Sequence, residues 1–229
     1  MSALKTRLRL LMRHYSGQSR RRGSLIKKVA KAFELVYFGT VYYDDEMMPI
    51  KGFTLSTSYL DQHFSVGHFD GYTIRLVDRY DAVAVSPSVK EDQNWLIIEV
   101  SLQSSGYPRT CLVPTGPNSN NYARFFTSHT KFQPLNSTVF QTHSPEVHGR
   151  FQIIASPSRT SDVEEIFTTP IIMGIAGRFW PHGIEVYKDK LYIYITNRRL
   201  SVSTVAAAID SALWLAQAFD ADAERRMSS

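Results

Sequence analysis

The stretch Phe64-Ser65-Val66-Gly67-His68-Phe69-Asp70-Gly71-Tyr72-Thr73-Ile74-Arg75-Leu76 decides the fold. Asp-Gly is favoured in two-residue hairpin loops because both central positions need positive φ. Beyond it, Tyr72, Ile74 and Leu76 alternate with Thr73 and Arg75, the period of a half-buried strand. An antiparallel hairpin is predicted. Further strands are predicted at 82–85, 95–102 and 109–113, giving a meander. Asp78, Arg79 and Asp81 read as flanking a turn between strands 72–76 and 82–85, where Asp is common for backbone reasons.

Residues 114–137, with Pro114, Gly116 and Pro117, read as a long loop or weak helix that could divide two sub-domains. A strand returns at 149–155. Ser161 and Glu164 form a capping box opening a helix, and Thr169-Pro170 suits a second helix start. A hairpin follows over 183–196 around Lys188-Asp189-Lys190. Val205, Ile209, Leu213 and Ala216 then mark the apolar stripe of a helix over 203–223. Strands, loop, strand, helices, hairpin and helix in that order predict an α+β fold with a largely antiparallel sheet and C-terminal helices.

Charge is segregated along the chain. Lys5, Arg7, Arg9, Arg13, Arg20, Arg21, Arg22, Lys27, Lys28 and Lys31 all precede Glu34, the first carboxylate. The chain holds 26 basic and 21 acidic residues, so removing those ten leaves 16 against 21, a body near −5. The pI of 9.3 therefore describes a positive segment on a mildly acidic domain. The predicted division is a basic amphipathic arm over 1–33 and an α+β domain over 34–229.

Within the arm, Leu4, Leu8, Leu11 and Tyr15 recur at helical spacing over 3–15, and Leu25, Val29, Phe33 and Val36 do so over 25–37. Residues 16–24, with Gly17, Gly23 and three consecutive arginines, read as a flexible cationic hinge. Two basic amphipathic helices suit an anionic membrane surface, where each cation contributes about 1 kcal/mol. An acid-free amphipathic start is also the pattern of an organelle transit peptide, with Arg13-His14-Tyr15-Ser16 as a cleavage neighbourhood. The same cations could neutralise nucleic-acid phosphates. Finally, the stripes could pack on the protein's own body with the charges solvated.

Diagnostic catalytic motifs do not occur. The sequence contains no Gly-x-Ser-x-Gly elbow, no phosphate-cradling GxxxxGK[ST] and no GxGxxG. A single cysteine, Cys111, excludes an intramolecular disulfide and a multi-thiolate zinc site, and its apolar run Cys111-Leu112-Val113 predicts a buried, inert thiol. Asp61 with His63, and Glu146 with His148, stand two apart and would share a strand face. Their meeting would make a His/carboxylate metal centre of a hydrolase. Nothing in the spacing requires it, and no metal or other cofactor is expected. No segment is read as long and apolar enough to cross a bilayer.

The run Glu146-Val147-His148-Gly149-Arg150-Phe151-Gln152-Ile153 through Ser161-Asp162, Thr169-Pro170-Ile171-Ile172, the 183–196 hairpin and the final helix resembles a bacterial domain family of unknown function. The upstream Gly67 to Ile74 segment resembles that family's glycine-bounded strand entry. Members often follow predicted membrane helices, so the resemblance implies membrane association and supplies no catalytic residues. The expectation is a non-enzymatic interaction or scaffold domain, cytoplasmic and peripheral at an anionic membrane surface or bound to another protein. The alternatives are a nucleic-acid-associated protein using the same arm and a metal-dependent hydrolase.

Overall fold

The Asp70-Gly71 turn joins strands β2 (Leu60–Phe69) and β3 (Tyr72–Ser86), with Phe69 paired to Tyr72 and φ of 51° and 82° at the two turn residues. Both central φ values are positive, the conformation whose twist matches flanking strands. The computed structural model describes residues 17–42, 50, 52, 60–86, 89–116, 132–135, 140, 145–196 and 200–228. The protein is α+β. Its elements begin with helix α1 (Gly17–Ala32) and strand β1 (Val36–Tyr42), then β2, β3, β4 (Val89–Ser101), β5 (Tyr107–Pro114) and β6 (Gln133–Pro134). Helix α2 (Pro145–Arg150), β7 (Phe151–Ala155), α3 (Thr160–Ile166) and α4 (Thr169–Arg178) follow. The chain closes with β8 (Gly183–Lys188), β9 (Lys190–Ile195) and α5 (Val202–Met227).

Two compact units are formed, Met1–Ile97 with Thr196–Ala207, and Ile98–Ile195 with Ala208–Ser229. In the first, neighbouring strands run β1-β2-β3-β4. In the second, the order from the end of β4 is β9-β8-β5-β7-β6. Among the described residues every pairing with a defined register is antiparallel. The division passes through β4, and residues 117–131 and 136–137 of the predicted 114–137 segment lie outside the described residues.

Several expectations need correction. Residues 77–81 are not a turn, because β3 runs unbroken from Tyr72 to Ser86. Charges at Asp78 and Arg79 are tolerated in mid-strand because each has an ion-pair partner. Residues 17–24 are not a hinge but the first half of α1. The stripe predicted over 25–37 also ends early, since the helix stops at Ala32 and Val36 opens β1. Helix α3 starts at Thr160, and its cap Arg159 makes no side-chain cap bond, so Ser161 lies inside the first turn. Residues 149 and 150 close α2, and the strand starts at Phe151.

The C-terminal helix forms as predicted, with Val205, Ile209, Leu213 and Ala216 buried. At 26 residues, α5 is long and apolar enough to cross a membrane by length and composition, contrary to the sequence reading. Its apolarity has a local use. In the second unit Phe219 packs edge-on to Phe167 and against Tyr107, whose hydroxyl donates to the Phe219 carbonyl at 3.1 Å. Asp220 on the same helix accepts from the amides of Gln103 and Ser104 at 3.1 and 2.8 Å, which fixes the β4–β5 connection.

Candidate anionic-surface interface

Helix α1 carries no carboxylate and buries one side. Ile26, Val29 and Ala30 are buried, with Gly23 between Arg22 and the next turn and Phe33 just past the end. The chain then reverses. Leu35 donates to the Ala30 carbonyl at 2.7 Å and Glu34 to that of Lys31 at 3.4 Å, with Glu34 at φ 56°. This pair of bonds around a left-handed residue is a Schellman closure, which satisfies the last carbonyls and turns the chain back. β1 consequently returns beside the helix and pairs with β2 through Val36–Val66 and Tyr37–Ser65.

The ten predicted cations separate by this geometry. Lys5, Arg7, Arg9 and Arg13 lie outside the described residues, and Arg20 is described in backbone only. Arg21, Lys27, Lys28 and Lys31 are exposed. A helix advances about 100° per residue, which places Arg21 and Lys28 opposite the buried stripe. On the same arithmetic Lys27 and Lys31 stand about 100° and 140° round from it, both on one side. That side is the β1 side, because Lys27 Nζ lies 4.9 Å from the centre of the Tyr37 ring. Arg22 falls on the other flank and is half-buried. It forms a two-pronged ion pair with Asp78 of β3, the second prong 2.7 Å. Arg22 is therefore neutralised within the fold. Among the described residues no carboxylate pairs with the other four.

Close contact beneath α1 involves His63. A Cβ built on Gly23 would stand 2.7 Å from His63 Cε1, so only glycine lets the helix approach this closely. The Tyr37 hydroxyl lies 2.8 Å from His63 Nδ1. His63 has φ 57° and sits where the β2–β3 register slips between Gln62 and Ser65, a β-bulge.

That bulge overturns the expectation that Asp61 and His63 share a strand face. Asp78 reaches toward α1, so its neighbour Arg79 points to the opposite face. Asp61, directly across from Arg79, goes with it, whereas His63 faces Gly23. Arg79 donates to Asp61 at 2.9 and 2.7 Å and to the Ile50 carbonyl at 2.9 Å, with both side chains fully buried. In the second unit His148 Nε2 lies 2.6 Å from the Phe140 carbonyl, and Glu146 is described in backbone only. Among the described residues no three His, Cys, Asp or Glu side chains form a group that could hold a metal ion.

Sequence reasoning missed a buried polar cluster in the second unit. Glu185 is wholly buried, accepts from Tyr194 Oη at 2.5 Å and pairs with Arg109 Nε at 3.0 Å. The Arg109 guanidinium lies over the Tyr187 ring at 4.0 Å. Burial, then Glu185, pushes the Tyr194 hydroxyl well above its ordinary range. Cys111, opposite Glu185 in register, is buried as the sequence predicts, and its thiol is likewise pushed up by burial and then by that carboxylate, which disfavours the thiolate. A lone Glu alternating with apolar residues in 183–187 was the available signal.

The fold and surface define a class: an α+β domain with an antiparallel sheet and a cationic N-terminal helix packed on its first unit. No family model matches the sequence, and no curated protein matches it. Among solved structures it resembles the crystal structure of the mycobacterial trehalose monomycolate transport factor A, TtfA. The TM-score is 0.51 at 10% identity, over 87% of this chain and 93% of that one. At that identity the likeness shows the fold alone, that of a bacterial protein.

Proposed function

We propose that this chain is a non-enzymatic interaction or scaffold module that docks peripherally on an anionic membrane surface, at the cytoplasmic face, through the outward cations of α1. The observation that carries the reading is the arrangement of Arg21, Lys27, Lys28 and Lys31 on the side of α1 away from its buried stripe. At about 1 kcal/mol per cation near an anionic leaflet, four contribute on the order of 4 kcal/mol, a reversible attachment. Lys5, Arg7, Arg9, Arg13 and Arg20, from the same acid-free stretch, would add to it. Arg22 takes no part, its charge being held by Asp78. The similar fold of TtfA, named as a transport factor, favours an accessory role over a catalytic one.

Vesicle co-sedimentation of the full chain tests this. Binding is expected to vesicles containing phosphatidylglycerol and not to pure phosphatidylcholine, weakening as salt shortens the Debye length. The combined variant Arg21→Glu, Lys27→Glu, Lys28→Glu, Lys31→Glu should reduce it at least tenfold. Equal binding to both vesicles, or to neither, refutes the proposal. Retention on duplex DNA instead, with a steep salt dependence, assigns the same cations to nucleic acid.

A further inference from the structure

We infer that strand β1 is the part of this surface that enters the bilayer interface, an inference that rests on the docking reading above. β1 has the sequence Val36-Tyr37-Phe38-Gly39-Thr40-Val41-Tyr42, without one charged residue. Val36 and Phe38 are each 59% exposed and Tyr42 is 74% exposed. Seven large hydrophobic side chains are exposed among the described residues, and three of them fall on this one strand, so the exposure is a local feature. Phe38 is backed by Phe64, with ring centres 5.8 Å apart.

Position makes the strand available. β1 ends the strand order of its unit, and among the described residues its outer edge carries no further strand. Natural edges of this kind are blunted by lysine, proline or bulges; β1 has no lysine or proline, and its register slips on both sides of Gly39. Tyr42 projects on the α1 side, because its neighbour Val41 lies across from Asp61 on the other face. Tyr37 does so because its ring meets Lys27 and its hydroxyl His63, the register slipping on both sides of Gly39 between the two tyrosines. Val36 and Phe38 project away from it. An approach along the edge therefore brings all of them to a surface together.

Charge complementarity selects the occupant. Lys27 and Lys31 stand on the β1 flank of α1, and Lys27 reaches the Tyr37 ring. Among the described carboxylates of this unit, Glu34 is exposed at the turn into β1 and Asp70 at the β2–β3 turn, while Asp61 and Asp78 are held by Arg79 and Arg22. Asp44, Asp45 and Glu46, which follow β1 in the sequence, lie outside the described residues. Tyrosine rings flanked by lysines and interleaved with Val and Phe match the headgroup boundary of an anionic phospholipid bilayer. There amphipathic rings sit at headgroup level and apolar side chains reach the acyl region.

The test separates this inference from the docking reading. The full chain and the variant Phe38→Ser/Tyr42→Ser are sedimented with phosphatidylglycerol-containing vesicles at low salt and at 0.5 M salt, where a Debye length of only about 4 Å suppresses electrostatic binding. The wild-type chain should retain vesicle binding at high salt. The variant should lose it at least tenfold, about 1.4 kcal/mol, while keeping its thermal midpoint. In a second measurement, Phe38→Trp fluorescence should be quenched by lipids brominated in the acyl chain beyond the quenching seen with the wild-type tryptophans. Wild-type and variant binding that fall equally with salt, with no added quenching, overturn the role of β1 and leave electrostatic docking standing. Absence of any vesicle binding by the wild-type chain removes both. A lipid-free dimer abolished by Phe38→Ser/Tyr42→Ser assigns the edge to a second copy and overturns the inference.

Discussion

Removing Arg79 tests whether Asp61 is held for structure or is available for chemistry. The two side chains are fully buried and joined by two hydrogen bonds of 2.9 and 2.7 Å, and Arg79 also holds the Ile50 carbonyl. Arg79→Met preserves much of the volume but strands a buried carboxylate, which costs about 3–5 kcal/mol. For a chain of this size each kcal/mol lowers the melting midpoint by about 2–4 °C, so a fall of roughly 6–20 °C is expected. The cost lies in a buried charge that has lost Arg79. Asp61→Leu combined with Arg79→Met should therefore recover most of the loss, since replacing both members of a buried pair by apolar residues is often neutral. Denaturant titration of wild type, both single variants and the double variant closes the cycle. A mild Arg79→Met, or a double variant as unstable as the sum of the singles, refutes the argument. Thermal stabilisation of the wild type by added zinc, lost in Asp61→Leu, would restore the metal reading.

Two further outcomes follow from the packing. Gly23→Ala should destabilise by about 1–3 kcal/mol through overpacking against His63. An exposed helical site would instead gain about 1 kcal/mol from the same change, so the sign, read by chemical denaturation, reports whether α1 is seated. At high pH, burial first and nearby carboxylates second raise Tyr192 and Tyr194 above the tyrosine value of 10.0. A folded pKa above the unfolded one contributes stability that is complete below about pH 10 and declines as pH rises past it. Unfolding free energy should thus fall above pH 10, with tyrosinate absorbance near 295 nm appearing together with unfolding. Early, independent ionisation of the full tyrosine set would contradict the buried placement.

Local chemistry made much of the architecture legible. Asp70-Gly71 specifies its turn through positive φ at both positions, and the alternation of Tyr72, Ile74 and Leu76 against Thr73 and Arg75 reappears as burial along β3. Thr169-Pro170 opens α4, where proline loses no needed hydrogen bond. The stripe of α5 is its buried side. Each of these signals is carried by residues within one element. The errors share a cause of the opposite kind. Asp78 and Arg79 resemble a turn until Arg22, 56 positions upstream, and Asp61, 18 positions upstream, supply the opposite charges.

The candidate surface divides in the same way. Sequence alone determined that ten cations precede any carboxylate and that apolar residues among them recur at helical spacing over 3–15 and 25–37. Gly17 and Gly23 looked like a hinge because glycine is a poor helix former, a cost of about 1 kcal/mol that is set by local backbone freedom. Only tertiary structure decided that the helix runs through them, since His63 fills the space that a Cβ at position 23 would need. It also decided which cations face outward and that β1 lies beside them, because a Schellman closure at Glu34 folds the strand back along the helix. Charge content is a property of composition. Which charges are neutralised, and what apolar surface stands next to the rest, depends on contacts between residues far apart in the chain.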